Sequence, residues 1–457
     1  MRRRKIDMLQ GPLIPAMIRF TIPLFLTALL QHAFNAVDII LAGNLDESQS
    51  VAVAAVGSTT ALTALLINFF FGCSAGSAVI ISHAIGSRNS DSIKESVHTA
   101  MLLSVILGGI LTVLGVVFSR SLLVMMSTPE DIIQQATVYL QTYFLGMIPY
   151  MVYSFGAAIL RTMGDSGKPL LFLVISGPIK IALTYLCLTQ LHLGVAGLAL
   201  ATTLSQVVSA GLVVFSLMRR PDAGKLELKK LRFSAAPLKR ILILGIPAGI
   251  QSATFPLANV FIQSSINSLS HLPGFIAGNA AAISIEGIAE SATGSFYQTS
   301  LNFVGQNVGA HRYDRVRKAF LYSMGLCCLT VIILSPLMIL FGEELLGLYL
   351  VDAPDAIHWG MIRLTYFYAP LILQALMDSS GGAVRGLGIS FSGMVLQIFG
   401  VCGIRILWVL TIFRIPQFHT PQTLYSIYPI SWSITSLMLI ILFIVVYKKR
   451  TAVSTQL

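Results

Sequence analysis

The sequence predicts an all-α integral membrane protein with twelve transmembrane helices in two pseudo-symmetric six-helix bundles. Three observations predict this class. Charged residues make up 11% of the 457-residue chain, whereas soluble proteins carry about 25%. Apolar stretches long enough to cross a bilayer, about 20 residues each, recur along the whole chain. Landmarks of the first half also return in the second half at a nearly fixed distance.

Twelve apolar segments are expected to span the membrane. The first follows a basic N-terminal stretch, but its apolar run is too long for a cleaved signal peptide. The expected spans lie near residues 15–42, 51–82, 97–119, 132–158, 169–190, 194–218, 239–266, 276–306, 319–341, 357–384, 388–413 and 424–447.

The distribution of positive charge gives the expected orientation. Of the 30 Lys and Arg residues, 24 lie at the termini or in alternate loops, and the opposite loops carry mainly acids. Basic residues near span ends stay in the cytoplasm, so both termini are expected on that side. The net charge of +11 is thereby explained by membrane topology. No nucleic-acid partner is expected.

A repeat of about 224 residues divides the chain. Four landmark pairs recur in the same order: Ile22-Pro23 with Ile246-Pro247, 85–89 with 308–312, Pro129 with Pro354, and Arg161–Gly164 with Arg385–Gly388. The expected domains are an N-terminal bundle over 1–218, a cytoplasmic linker over 219–238 and a C-terminal bundle over 239–457. Since each half holds an even number of spans, the two halves share one orientation, which is typical of transporters with parallel repeats.

Four segments resemble the motifs of a known family. They are Asn35–Gly43, Leu160–Pro169, Gly194–Thr202 and Val304–Lys318. Together they resemble the multidrug and toxic-compound extrusion (MATE) transporters of bacteria, and the resemblance covers essentially the whole chain. It implies a secondary transporter rather than an enzyme, in the bacterial cytoplasmic membrane. Such a protein exports amphipathic, often cationic, organic compounds in exchange for inward-flowing protons or sodium ions.

Asp38 is the first candidate for ion coupling. Gln31, Asn35 and Asp38 follow i, i+4, i+7 spacing and share one face of the first helix. An ionised group at the bilayer centre costs roughly 2.5–3.5 kcal/mol on insertion scales, so it needs a function or a buried partner. The resemblance implies that the acid at this position binds the coupling ion. It also implies that Pro23 is the proline that bends the helix.

The fifth helix departs from the family pattern. Lys180 and Thr184 stand where the resemblance implies an asparagine and an aspartate, whereas Thr202 is retained. A hard cation prefers several oxygen ligands, so this exchange should weaken sodium binding. Lys180 is therefore predicted to be a counter-cation that Asp38 releases when it is protonated, which favours proton over sodium coupling. A fixed ion pair that only locks the helices is the alternative.

The second half carries its own charged group. Glu286 and Glu290 are one helical turn apart, and Thr293 and Tyr297 continue the same stripe. Two carboxylates so close cannot both ionise easily. This pattern favours a proton relay or an electrostatic trap for a cationic substrate, although Glu286 could instead lie in a wet loop.

Other deep charges are interpreted structurally. Asp378 and Arg405 are expected to pair across the tenth and eleventh helices, whereas Arg19 and Arg363 are expected to reach the interface from span ends. Candidates for lining the substrate site are Gln31, Phe34, Tyr150, Gln251, Phe255, Gln263 and Gln374.

The expected partners are a small organic substrate and the lipid bilayer. The chain is expected to be a monomer without a metal or organic cofactor, and H+ or Na+ would be the coupling ion. A flippase or exporter of lipid-linked or other endogenous metabolites with the same architecture is the rival function. This rival is disfavoured because only two bases, Lys180 and Arg405, are expected deep in the spans, whereas four acids are expected there.

Overall fold

The computed structural model describes residues 6–45, 49–126, 128–350 and 352–456, without the side chains of 35–36, 38–58, 60–62 and 453–456. Within these residues the regular structure is entirely helical. The α-helices are α1 Leu13–Leu45, α2 Gln49–Gly86, α3 Ser90–Met125, α4 Glu130–Leu145, α5 Met147–Thr162, α6 Gly167–Thr189, α7 Gly194–Met218, α8 Ala235–Ser268, α9 Phe275–Gly309, α10 Tyr313–Leu340, α11 Gly342–Gly347, α12 Pro354–Tyr368, α13 Leu371–Gly386, α14 Ser390–Gln397, α15 Ile404–Leu410, α16 Pro421–Tyr425 and α17 Ile427–Gln456. A π-helix, Ile398–Gly403, joins α14 to α15. Short 3-10 helices cover Leu228–Lys230, Ile412–Arg414 and Pro416–Phe418.

Each apolar segment expected to span the membrane lies in helical structure. In the described part of the chain, nine helical stretches are long and apolar enough to cross a bilayer, and the bent pair α4–α5 is a tenth. The two predicted spans that are less apolar are α9 and α12–α13, which carry Glu286, Glu290, Arg363 and Asp378. The protein is therefore a multi-pass membrane protein, whereas the count of twelve spans and the cytoplasmic termini stay predictions.

Two compact units form the molecule, and the boundary between them falls inside two helices. The first consists mainly of Leu26–Gly249, and the second of Asp7–Phe25 and Ile250–Leu457. The start of α1 therefore belongs to the second unit, and the start of α8 belongs to the first. The boundaries that the sequence suggested, at 219 and 238, stay a prediction.

Two pairs of turns repeat the same backbone conformation. Arg88 and His311 each have a φ of 54°, and Gly164 and Gly388 have φ of 79° and 81°. In both glycine turns the glycine N–H donates to the carbonyl of the arginine three residues earlier, at 2.9 and 2.8 Å. A left-handed residue other than glycine is uncommon. Its return 223 positions later confirms that the landmarks belong to a structural repeat.

Two spans are broken at equivalent positions. Gly146 separates α4 from α5 with a bend of 46°. Ala369 and Pro370 separate α12 from α13, 224 positions after Gly146. Proline has no N–H to continue the helix, so the second break follows from the residue itself.

The segment between α7 and α8 is held on the first unit. The backbone N–H of Glu227 donates to Nε2 of His98 at 3.1 Å, and the N–H of Ser234 donates to Oγ1 of Thr99 at 3.1 Å. Arg220 forms two hydrogen bonds to the carboxylate of Asp222, at 2.9 and 2.8 Å. The segment between α7 and α8 is therefore held in place by the N-terminal part of α3.

The second unit is built around α9. The start of α1 packs on α9, where Phe20 lies edge-on to Phe303 at 5.7 Å and Thr21 hydrogen-bonds Thr299 at 2.7 Å. On another side, α13 approaches so closely that a Cβ added to Gly382 would collide with the carbonyl oxygen of Tyr297. A glycine is needed at this crossing because the atom in the way belongs to the backbone.

Candidate functional site

A cavity of about 390 Å³ lies inside the second unit. This volume is within the usual range of small-molecule sites. Residues from α8, α9, α12, α13, the π-helix, α15 and α17 form its wall. The charged lining residues are Glu286, Glu290, Arg363, Asp378 and Arg405, and the aromatic ones are Phe255, Phe367, Tyr428 and Trp432.

One wall contains a buried ion pair between α9 and α12. Arg363 donates from Nε to Oε1 of Glu286 at 2.6 Å and from Nη2 to Oε2 at 2.9 Å. The two side chains are only 3% and 7% exposed. Two parallel hydrogen bonds between a guanidinium and a carboxylate combine charge attraction with fixed geometry. Each charge is therefore neutralised by its partner.

Further hydrogen bonds complete the coordination of Arg363. Its Nη1 donates to Oδ1 of Asn279 at 3.1 Å, and its Nη2 also donates to the hydroxyl of Tyr428 at 3.2 Å. The hydroxyl of Tyr425 donates to the same Asn279 oxygen at 2.6 Å. Four helices, α9, α12, α16 and α17, are thus tied together around one guanidinium.

This network corrects one expectation and excludes one alternative. Arg363 does not extend to an interface from a span end, because its side chain is buried and bound to Glu286. Glu286 does not lie in a wet loop, because it is 5% exposed inside α9. The sequence treated Glu286 and Glu290 as one pair, whereas the structure gives Glu286 its own cation.

Glu290 and Asp378 have a different environment. Glu290 is exposed to the cavity, and Asp378 is half-buried on α13. In the part of the chain that the structure describes, neither carboxylate forms an ion pair. Asp378 and Arg405 both act electrostatically on Glu290. Two acids that share a cavity and have no basic side chain bound to them among the described residues make this part of the wall suitable for a positive charge.

Arg405 enters the cavity from α15. Its Nε donates to Oγ of Ser431 at 3.4 Å, and its guanidinium carbon lies 4.8 Å from the centre of the Tyr428 ring. The predicted ion pair with Asp378 is not observed among the described residues. The expected pairing across the two helices is therefore wrong, and Arg405 instead interacts with α17.

The predicted lining residues divide into two groups. Phe255, Gln263 and Gln374 line the cavity. Gln251 does not, because its amide donates to Gln397 and its Oε1 accepts from Nη2 of Arg385 at 2.6 Å. The remaining three candidates belong to the first unit: Gln31, Phe34 and Tyr150.

The stripe that continues past Glu290 stays close to the acids. Thr293 is fully buried beside Asp378. One turn further, the guanidinium of Arg385 lies 5.6 Å from the ring centre of Tyr297. The predicted face of α9 thus carries polar side chains from Glu286 to Tyr297.

The candidate ion site of the first unit lies between α1 and α6. Phe34 packs directly against Gly177, where a Cβ would collide with its ring. Lys180 is half-buried and Thr184 fully buried on α6. Position 38 is one turn beyond Phe34, and Lys180 lies about one turn beyond Gly177.

Other members of this predicted group are less completely placed. The side chains of Asn35 and Asp38 lie outside the described residues. On α7, the hydroxyl of Thr202 donates to the carbonyl of Leu198 at 3.1 Å. Pro23 lies inside α1, which continues as a helix on both sides of it.

Sequence reasoning missed much of the Arg363 network. Tyr425 and Tyr428 have no charge and lie among other aromatic and hydroxyl residues of the last span. One signal was available, since Asn279 precedes Glu286 by seven residues and therefore shares its face of α9.

Comparison with known proteins places the chain among transporters. The family model MatE matches it twice, over residues 23–186 and 247–410, so the second match begins and ends 224 positions after the first. A probable multidrug resistance protein of Bacillus subtilis, YpnP, is 28% identical over 414 residues, covering 87% of this chain and 88% of its own. A protein of Shewanella oneidensis named FAD transporter is 23% identical and covers 80% of this chain and 81% of its own.

The fold is shared with solved structures. The crystal structure of a MATE protein in complex with MaL6 superposes with a TM-score of 0.89 at 21% identity, covering 99% of this chain and 100% of that one. The double family match agrees with the repeated turns and with two units of similar size. This chain belongs to the MatE family, whose members are membrane transporters.

Proposed function

We propose that this protein is a secondary transporter that exports amphipathic organic cations across the bacterial cytoplasmic membrane, driven by inward flow of protons. The observation that carries this proposal is the cavity of the second unit. Glu290 and Asp378 offer negative charge there, and Phe367, Tyr428 and Trp432 offer aromatic faces. Carboxylates with aromatic rings recognise organic cations through charge and cation–π attraction. Relatives named as probable multidrug resistance proteins support the export of drug-like organic compounds.

Proton coupling is assigned to Asp38 together with Lys180. The charge distribution predicts that α1 and α6 both start on the cytoplasmic side. Phe34 and Gly177 are in contact. With a rise of 1.5 Å per residue, positions 38 and 180 lie at nearly equal height. An ammonium at that level disfavours sodium, whereas a proton can neutralise the acid.

Export of an endogenous metabolite is the second candidate. A relative named FAD transporter and the presence of Arg405 in the cavity favour it. Such a substrate would carry anionic groups, and its transport would depend on Arg405 more than on Glu290 or Asp378.

Transport by the purified protein in proteoliposomes tests the proposal. A fluorescent organic cation should accumulate under an imposed pH gradient, and a sodium gradient alone should not drive it. Glu290→Gln and Asp378→Asn should each lower the rate by about tenfold or more, because each removes an interaction with a charged group. Asp38→Asn should abolish the response to pH.

A matched control is Glu227→Gln, on the segment between α7 and α8 and far from the cavity residues in sequence, which should transport like the wild type. Sodium-driven transport that survives Asp38→Asn would exclude the proton assignment. Unchanged transport in both cavity variants would exclude the cavity as the cation site.

A further inference from the structure

Only some of the charged side chains that line the cavity are bound to an opposite charge. Glu286 and Arg363 bind each other through two hydrogen bonds. Three charges remain, which are Glu290, Asp378 and Arg405. A site for simple cations needs only the two acids, so the guanidinium requires an explanation of its own.

Arg405 is buried with most of its donors unused. Its side chain is 7% exposed. The hydrogen bond from Nε to Ser431 uses one of five N–H donors. In the described residues, the four donors on Nη1 and Nη2 make no hydrogen bond. The Tyr428 ring offsets part of the charge from one side. Ionisable side chains this deep in a membrane protein are usually functional.

A local irregularity directs Arg405 into the cavity. The π-helix Ile398–Gly403 ends immediately before α15, which begins at Ile404. One extra residue in a helical turn rotates all following side chains by about 100°. Such turns occur frequently at functional sites. Gly400 allows the close approach, since a Cβ there would collide with the hydroxyl of Thr435.

From these observations we infer that Arg405 is an anion-binding subsite and that the cavity takes zwitterions, organic molecules with both an amine cation and a carboxylate. The amine lies between Glu290 and Asp378. The carboxylate accepts two hydrogen bonds from the Nη1 and Nη2 groups of Arg405, the geometry that guanidinium favours. This inference rests on the proposed function and specifies the substrate class of the same site.

Charge balance supports this class over purely cationic ligands. Two carboxylates against one guanidinium leave the open part of the cavity with a net negative charge. A simple cation can enter but leaves Arg405 without a partner and is repelled by it. A zwitterion gives every charge an opposite neighbour, which low-dielectric surroundings favour strongly.

A matched pair of substrates tests the inference. The probes are a rhodamine dye with a free carboxylate and its methyl ester, which keeps the cation and loses the anion. Uptake of both into proteoliposomes is measured for the wild type, Arg405→Gln, Arg405→Lys and the control Arg414→Gln, an exposed arginine at the end of the same span. The readout is the ratio of zwitterion transport to ester transport.

Arg405→Gln should lower this ratio by about tenfold or more, and Arg405→Lys by less, since lysine keeps the charge without the paired donors. Arg414→Gln should leave it unchanged. If Arg405→Gln does not fold, the ratio in Arg405→Lys and competition between the two dyes for the wild type decide the matter. An unchanged ratio in both variants, or a wild type that carries the ester but not the zwitterion, overturns the inference and leaves the proposed function standing. A wild type that carries neither dye overturns the proposed function itself.

Discussion

The Glu286–Arg363 pair brings two opposite charges into the second unit with no net charge. Two hydrogen bonds form the pair and three more surround it, and every one of the five joins groups on different helices. Because both ions are desolvated, their mutual attraction has to offset a large loss of hydration. The pair therefore fixes the positions of α9 and α12 rather than adding a large net stability.

Removal of one partner should be far more damaging than removal of both. Arg363→Met leaves the Glu286 carboxylate buried without a cation, and the free energy of unfolding should fall by about 3–5 kcal/mol. The double variant Arg363→Met with Glu286→Gln should recover most of this loss. Thermal unfolding of the detergent-purified protein measures both.

An exposed pair of the same length provides the control. Lys230 and Glu227 also approach to 2.6 Å, but their side chains are 70% and 38% exposed. Water screens such pairs, so Lys230→Met should leave the melting temperature close to that of the wild type. Equal melting temperatures for Arg363→Met and Lys230→Met would show that burial of the Glu286–Arg363 pair does not make its loss more destabilising than the loss of an exposed pair.

At the scale of helices, the second unit depends on close backbone contact between α9 and α13. Gly382→Ala would place a methyl group against the carbonyl oxygen of Tyr297, which cannot move without the helix. Overpacking of this kind costs about 1–3 kcal/mol. The melting temperature of the variant should therefore fall, and its cavity should bind substrate less tightly because Asp378 lies one turn from the crossing.

Gly294→Ala is the matched control on α9 itself. Among the described residues, no heavy atom outside the neighbouring helix backbone lies within 4 Å of the Cβ position there. Alanine favours a helix over glycine by roughly 0.5–1 kcal/mol, so this variant should be as stable as the wild type or slightly more stable. A loss of stability at Gly294 equal to that at Gly382 would contradict the steric explanation.

Helical elements were largely predictable from the sequence because apolar length and repeated landmarks identify them. The repeated landmarks at 85–89 and 308–312, and at 161–164 and 385–388, coincide with turns of matching backbone conformation. The π-helix was not predictable, since its extra residue depends on how Gly400 meets Thr435 on another helix. For that reason helical periodicity could not show on which face of α15 Arg405 lies, and so could not identify its partner.

The candidate site was predictable in composition but not in pairing. Glu286, Glu290, Asp378 and Arg405 stood out because charge is rare in apolar spans. Arg363 lies 77 residues from Glu286 along the chain, and no local pattern connects the two. Pairing depends on which helix faces pack together, and that is a property of the folded unit.

At the scale of the whole molecule, neither half of the sequence contains a complete unit. The second unit includes Asp7–Phe25, and the first includes the start of α8 up to Gly249. The segment Asp7–Phe25 is firmly bound in the second unit. Nη1 of Arg312 donates to the carbonyl oxygen of Leu9 at 2.7 Å, and Nδ2 of Asn307 donates to the carbonyl oxygen of Met8 at 3.1 Å. A gene fragment that begins after the exposed Arg232 therefore encodes the second unit without one of its helical segments.

Expression of fragments tests this dependence. The fragment 233–457 alone lacks the packing of Phe20 and Thr21 on α9, so it should aggregate or be degraded. Co-expression with the fragment 1–232 should restore a soluble species in detergent that elutes like the uncut protein in size-exclusion chromatography. Co-expression with a fragment 26–232 should restore much less, because it supplies most of the first unit but not the missing segment of the second. Equal recovery with both partners would mean that the second unit folds without the start of α1, and that the exchange of helix ends contributes little to its stability.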